Sequence, residues 1–175
     1  IQPGTEILID GIPGETGYNH ALIVEGTLNV GSGTSFTSVI GNPDDWNGSK
    51  LIDLEKLKQN CWRGILVEGK ATLDGVAIRY AERGVAALDG AEVNLTGCTF
   101  ENNLAGVHAY DSQPAISSCI FRNNVYGIKE DEGGRPVVKD CRFTGNGVDY
   151  YHLDLTEISL EQLNDLPGNE GNSNE

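Results

Sequence analysis

VAIRYAERGV (76–85), CTFENNLAGV (98–107), CIFRNNVYGI (119–128) and CRFTGNGVDY (141–150) are one pattern written four times. With Val76, Cys98, Cys119 and Cys141 as the same place in each unit, the spacings are 22, 21 and 22 residues; a fixed period of this size marks a repeat architecture. Ile78, Phe100, Phe121 and Phe143 follow two residues later, and Leu73, Leu95, Ile116 and Val138 stand five residues before those. Apolar residues at alternate positions predict short strands, and the Gly and Asn clusters between them predict turns. A helical hairpin does not fit so short a period. Three short strands do, and they form one coil of a parallel β-solenoid, where each unit buries its apolar face only by stacking on its neighbours.

Stacking converts positions into columns. Val76/Cys98/Cys119/Cys141, Ile78/Phe100/Phe121/Phe143 and Val85/Val107/Ile128 are expected to point inward. Arg79, Glu101 and Arg122 are expected to point outward with alternating sign, a ladder at the coil spacing of about 4.8 Å that opposes a slipped register. Asn103, Asn124 and Asn146 share one turn position, with Asn102 and Asn123 beside them. Asn accepts left-handed backbone and bonds up and down a stack, so these residues read as a structural corner rather than a ligand site. Cys98, Cys119 and Cys141 lie about 4.8 Å apart in one column. The Cβ separation of a disulfide is about 3.8 Å, so they read as packed free thiols. Parallel thiols with no accompanying His do not converge tetrahedrally on zinc.

The units resemble those of the right-handed parallel β-helix proteins, the pectate-lyase-like superfamily, and the bacterial surface proteins that carry short runs of such coils. IQPGTEILID, ALIVEGTLNV and SFTSVIG resemble the opening coils of such surface domains, so the resemblance covers residues 1–41 and 62–151. It implies an all-β chain: a single right-handed parallel β-helix of about six to seven coils over residues 1–153. The scaffold carries lyases, hydrolases, adhesins and spacers alike, so it implies no single function. Secretion or display on a cell surface is the location it implies.

The net charge of -14 and pI near 4.4 argue against nucleic acid and anionic membrane surfaces as partners. No apolar run has the length of a membrane span, about 18 residues, and no basic-then-apolar leader opens the chain. A start at Ile1 without any Met reads as a mature protein or an excised fragment.

Residues 42–61 interrupt the repeat. Leu51, Leu54 and Leu57 at helical spacing, with Ser49 as N-cap, predict a short inserted helix packed on the solenoid wall. Trp46 and Trp62 at the two ends of the insertion are anchors for it or, alternatively, an aromatic platform for a sugar ring. ILVEG (65–69) echoes LIVEG (22–26), and Ile23, Leu66 and Ala86 are expected to form an outward apolar strip that needs a cover. Residues 154–175 read as a C-terminal capping segment, with a capping box at Ser159 and Gln162, and a polar tail. Asn47-Gly48-Ser49 and Asn94-Leu95-Thr96 are glycosylation sequons.

Candidate chemistry sits in the turns. Five residues after Gly84, Gly106 and Gly127 come Asp89, Asp111 and Glu132, and Glu68 occupies the related turn. A stacked acidic column either splays into water or holds a cation, and oxygen-rich clusters suit Ca²⁺. Pectate lyases, by resemblance, pair bound calcium with an Arg or Lys base; the chain has Arg63, Arg79, Arg83, Arg122, Arg135 and Arg142 but none of the family's catalytic signatures. His108 stands where the neighbouring coils have Ala86 and Lys129, which reads as tolerated surface. The resulting expectation is a non-catalytic extracellular or cell-surface β-helix module, structural or adhesive and able to self-associate. The alternative is a polysaccharide-binding module, or a polysaccharide lyase or hydrolase fragment.

Overall fold

A computed structural model describes residues 1–9, 20–38, 62–131 and 133–152, and the backbone of 157–158. The strands run β1 (Glu6–Ile9), β2 (Ala21–Val24), β3 (Thr27–Val30), β4 (Ser35–Ser38), β5 (Trp62–Val67), β6 (Lys70–Asp74), β7 (Ala77–Arg79), β8 (Ala81–Ala87) and β9 (Glu92–Thr96). They continue as β10 (Thr99–Glu101), β11 (Ala105–Tyr110), β12 (Ala115–Ser117), β13 (Ile120–Arg122), β14 (Tyr126–Asp131), β15 (Val137–Lys139), β16 (Arg142–Thr144), β17 (Val148–His152) and β18 (Glu157–Ile158).

Every third strand falls in the same sheet. Sheet A is β1-β4-β7-β10-β13-β16, sheet B is β2-β5-β8-β11-β14-β17-β18, and sheet C is β3-β6-β9-β12-β15. All neighbours pair in parallel except β17 and β18, which are antiparallel. The described residues complete five coils, from β2–β4 to β14–β16, with β1 alone before them and β17 alone after. This is fewer than the six to seven coils expected from the sequence. The antiparallel β18 stops the climb, because a solenoid advances only by parallel pairing. No helix occurs among the described residues; the helix expected within 42–61 and the capping box at 159–162 lie outside them.

The register is the one the repeat dictates. Ile78 pairs with Phe100, Phe100 with Phe121 and Phe121 with Phe143. Ile78, Phe100 and Phe121 are fully enclosed, and the three phenyl rings stack at 5.0 and 4.9 Å. Each buried ring of this kind stabilises the coil by about 1.5–3 kcal/mol. Gly84, Gly106 and Gly127 lie beneath those rings. A Cβ there would stand 2.8–3.0 Å from a phenyl Cδ1 and 2.5–2.6 Å from the next coil's carbonyl oxygen, which is why no larger residue fits. Leu73, Leu95 and Ile116 are likewise buried.

The corner between sheets A and B is an amide stack. Tyr80, Asn102 and Asn123 are left-handed, with φ of 56°, 55° and 55°, and Gly145 follows at 67°. That turn places the next residue's side chain inside. The Asn124 Oδ1 accepts from the Asn103 backbone N–H at 2.9 Å and from its Nδ2 at 3.0 Å. The Asn146 Oδ1 accepts from Asn124 in the same way, at 3.0 and 2.9 Å. Each amide also donates back to a carbonyl: Asn103 to Ile78, Asn124 to Phe100 and Asn146 to Phe121. Cys98, Cys119 and Cys141 are buried thiols outside any disulfide, each donating to backbone carbonyls. Hydrogen bonding among the three thiols, together with burial, pushes the Cys119 thiol far up, so it stays neutral.

The outward strip is only partly open. Ile23 is 57% exposed, whereas Leu66 and Ala86, in register with it, are 7% and 1% exposed.

Candidate functional site

The charged ladder on sheet A is paired internally. Arg79 Nε donates to Glu101 Oε2 at 2.9 Å, and Arg122 reaches the same carboxylate through Nε at 2.9 Å and Nη2 at 3.0 Å. Burial pushes the Glu101 carboxyl up, but its hydrogen bonds to Arg79 and Arg122 outweigh that and hold it below the usual carboxylate range. Neither Arg is therefore a poised base.

Glu68, Asp89 and Asp111 are exposed at the corner between sheets B and C. Among the described residues no three His, Cys, Asp or Glu side chains form a group able to hold a metal ion; Glu132 lies outside those residues. Asp111 is left-handed, φ 43°, and lines an open groove of about 430 Å³ with Gly90, Glu92, Asn94, Gln113 and Ala115. This polar groove on the outer face of sheet C is where the acidic turn meets a sheet surface. Sequence reading found Asp111 but not the groove, because a groove arises from the side chains of two adjacent coils.

Trp62 does not offer a face for a sugar. It is 1% exposed, its ring stacks at 6.1 Å on Phe36, and its Nε1 donates to the Arg79 carbonyl at 2.9 Å. It anchors the chain where the coils resume, and the platform reading is corrected for this residue. Trp46 lies outside the described residues.

Two clusters missed in the sequence flank the end of β14. On the outer face of sheet B, His108 is 7% exposed rather than tolerated surface. Its Nε2 lies 2.8 Å from Asp131 Oδ2, which also accepts from the Lys129 ammonium. Burial and the Lys129 charge depress the His108 imidazole to about 4, so at neutral pH it is uncharged and its Nε2–H donates to Asp131. Burial pushes Asp131 up, but Lys129 and His108 more than offset this and hold it low. Lys129 also lies 5.9 Å from the Tyr151 ring centre.

On the inner face, Glu130 is 5% exposed. Its carboxylate accepts from Arg135 Nη1 at 2.7 Å and from the Tyr150 hydroxyl at 2.6 Å, and His152 Nδ1 stands 2.9 Å away. Burial and the Glu130 carboxylate push the Tyr150 hydroxyl far up. The inward place of Glu130 was legible, since it continues the column of Ala87 and Ala109. Its partners were not, because Arg135 and His152 reach it from the following turn and the next coil.

Compared with known proteins, residues 44–161, more than half of the chain, match a family model described as a right-handed β-helix region. No curated protein and no solved structure gave a significant match.

Proposed function

The chain belongs to the right-handed β-helix family, and from that premise we propose that it is a rigid, non-catalytic module of an extracellular or cell-surface protein, structural or adhesive in role. The observation that carries this reading is the commitment of the sheet A ladder and of the two carboxylates at the end of β14 to partners within the fold. Arg79 and Arg122 are spent on Glu101, and Glu130 and Asp131 on Arg135, Tyr150, Lys129 and His108. The contacts of Glu101 with Arg79 and Arg122, of Asp131 with His108 and of Glu130 with Tyr150 join neighbouring coils. A surface of net charge -14 keeps such a module apart from anionic surfaces. Incubating the chain with acidic and neutral polysaccharides, with and without calcium, should yield neither unsaturated products nor new reducing ends. Turnover of any of them would overturn the reading.

A second reading, polysaccharide binding, is favoured by one observation: the groove along Glu92, Asn94, Asp111 and Gln113 is open and lined by hydrogen-bonding side chains. Affinity electrophoresis against the same polysaccharides tests it, with Asp111→Asn and Gln113→Ala expected to abolish any retardation. Sedimentation velocity and melting with and without millimolar calcium test whether the acidic turn takes a cation or drives self-association.

A further inference from the structure

Asn94-Leu95-Thr96 occupies β9 in the middle of sheet C, an unusual place for a sequon, which more often lies in a loop. The strand nevertheless presents it well. Alternation buries Leu95 at 1% exposure and leaves Asn94 and Thr96 exposed on one outward face. The carboxamides of Asn103, Asn124 and Asn146 are all committed to the corner stack. That of Asn94 makes no hydrogen bond to any described residue, and the Thr96 hydroxyl lies on the same face, 3.3 Å from the Ser117 hydroxyl. In the next coil the residue in register with Asn94 is Ala115, a small exposed side chain. Room is therefore left on that side, and it opens into the groove of about 430 Å³.

We infer that Asn94 is a glycan attachment site, with the first sugar seated in the groove beside Glu92, Asp111 and Gln113. The inference rests on the extracellular reading, because the modifying enzymes act on secreted chains. Transfer forms a bond between Asn94 Nδ2 and C1 of the first sugar and breaks the bond from C1 to the diphosphate of a lipid-linked oligosaccharide donor. The amide proton leaves with that diphosphate. Because the glycan joins the chain before folding is complete, it persists only where the folded chain leaves the attachment atom outside, and Asn94 meets that condition. A glycan here also covers the groove, so modified chains do not bind free polysaccharide in it.

The test is the full chain carrying a secretion signal in a eukaryotic secretory host, with Asn47→Gln to silence the other sequon. Intact mass and peptide mapping are read before and after enzymatic release of N-glycans. The expected result is one glycan on the Asn94 peptide, kept in Thr96→Ser and lost in both Asn94→Gln and Thr96→Ala. Retention in Thr96→Ser guards against loss caused by misfolding. A secreted, folded N47Q chain bearing no glycan, from cells whose own secreted proteins are modified, overturns the inference. The secretion signal is supplied, so that failure leaves the extracellular reading standing; fractionation of the native host tests the latter separately.

Discussion

Two of the three corners of each coil are built on opposite principles. Between sheets A and B, three residues separate β10 from β11, β13 from β14 and β16 from β17; Asn103 and Asn124 are buried and bonded to the coils on either side, and Asn146 bonds back to the preceding coil. Between sheets B and C the connection lengthens from two residues after β5 to four after β8 and β11 and five after β14. Its described carboxylates Glu68, Asp89 and Asp111 face water, and the one buried polar side chain among its described residues, Ser112, donates to the Ala87 carbonyl in a single turn without a repeat. A corner that satisfies its own buried amides must repeat, because a missing member leaves orphaned donors in the coils above and below. A corner whose polar groups are solvated is free to vary. The first holds the solenoid in register, and the second provides the surface where a groove and an attachment site arise.

That contrast is broken most directly by Asn124→Leu. It removes the acceptor for the Asn103 backbone N–H and the donor to the Phe100 carbonyl. With the Asn103 Nδ2–H also losing its acceptor, at least two orphaned buried groups at about 1–3 kcal/mol each predict a loss of roughly 2 kcal/mol or more, read as a lower urea midpoint.

Acid sharpens the comparison next. The folded His108 is depressed to about 4, against about 6.5 in the unfolded chain. The unfolded state therefore takes up the extra proton, so stability is full above pH 6.5 and falls as pH drops towards 4. The loss reaches about 3 kcal/mol at 1.36 kcal/mol per unit. Urea melts across that window should show the slope, and His108→Gln should flatten it.

Glu101→Gln should cost about 1 kcal/mol or less and lose its effect in high salt, because Arg79 and Arg122 are partly exposed. Asp111→Asn, at the solvated corner, should leave the midpoint within about 0.5 kcal/mol of the parent. A large loss there would erase the distinction between the corners.

Legibility in the sequence follows the same division. The columns of Phe100, Cys98 and Asn103 and the Arg79–Glu101–Arg122 ladder could be read because each obeys the period, and the structure places all of them as the alternation requires. His108 was misread although its outward direction was right, because direction does not give burial. Asp131, two positions beyond its register partner Lys129, reaches back to cover it. The sequence reads Trp62 as an anchor with a sugar platform as the alternative, and Phe36, from the preceding coil, takes the face a platform would need. Asp111 and Asn94 were visible singly. What joins them is a groove formed by the side chains of two adjacent coils.

Native-state hydrogen exchange compares the two corners within one molecule. The account predicts that the backbone amides of Asn103 and Asn124, bonded to the Oδ1 of the next Asn, exchange only through global unfolding and slow in step with total stability. The amide of Gly90, held to the Asp111 carbonyl at 3.3 Å, should exchange through local opening, insensitive to low urea. Equal protection at the two corners, or exchange at Asn103 and Asn124 through local opening, would contradict it.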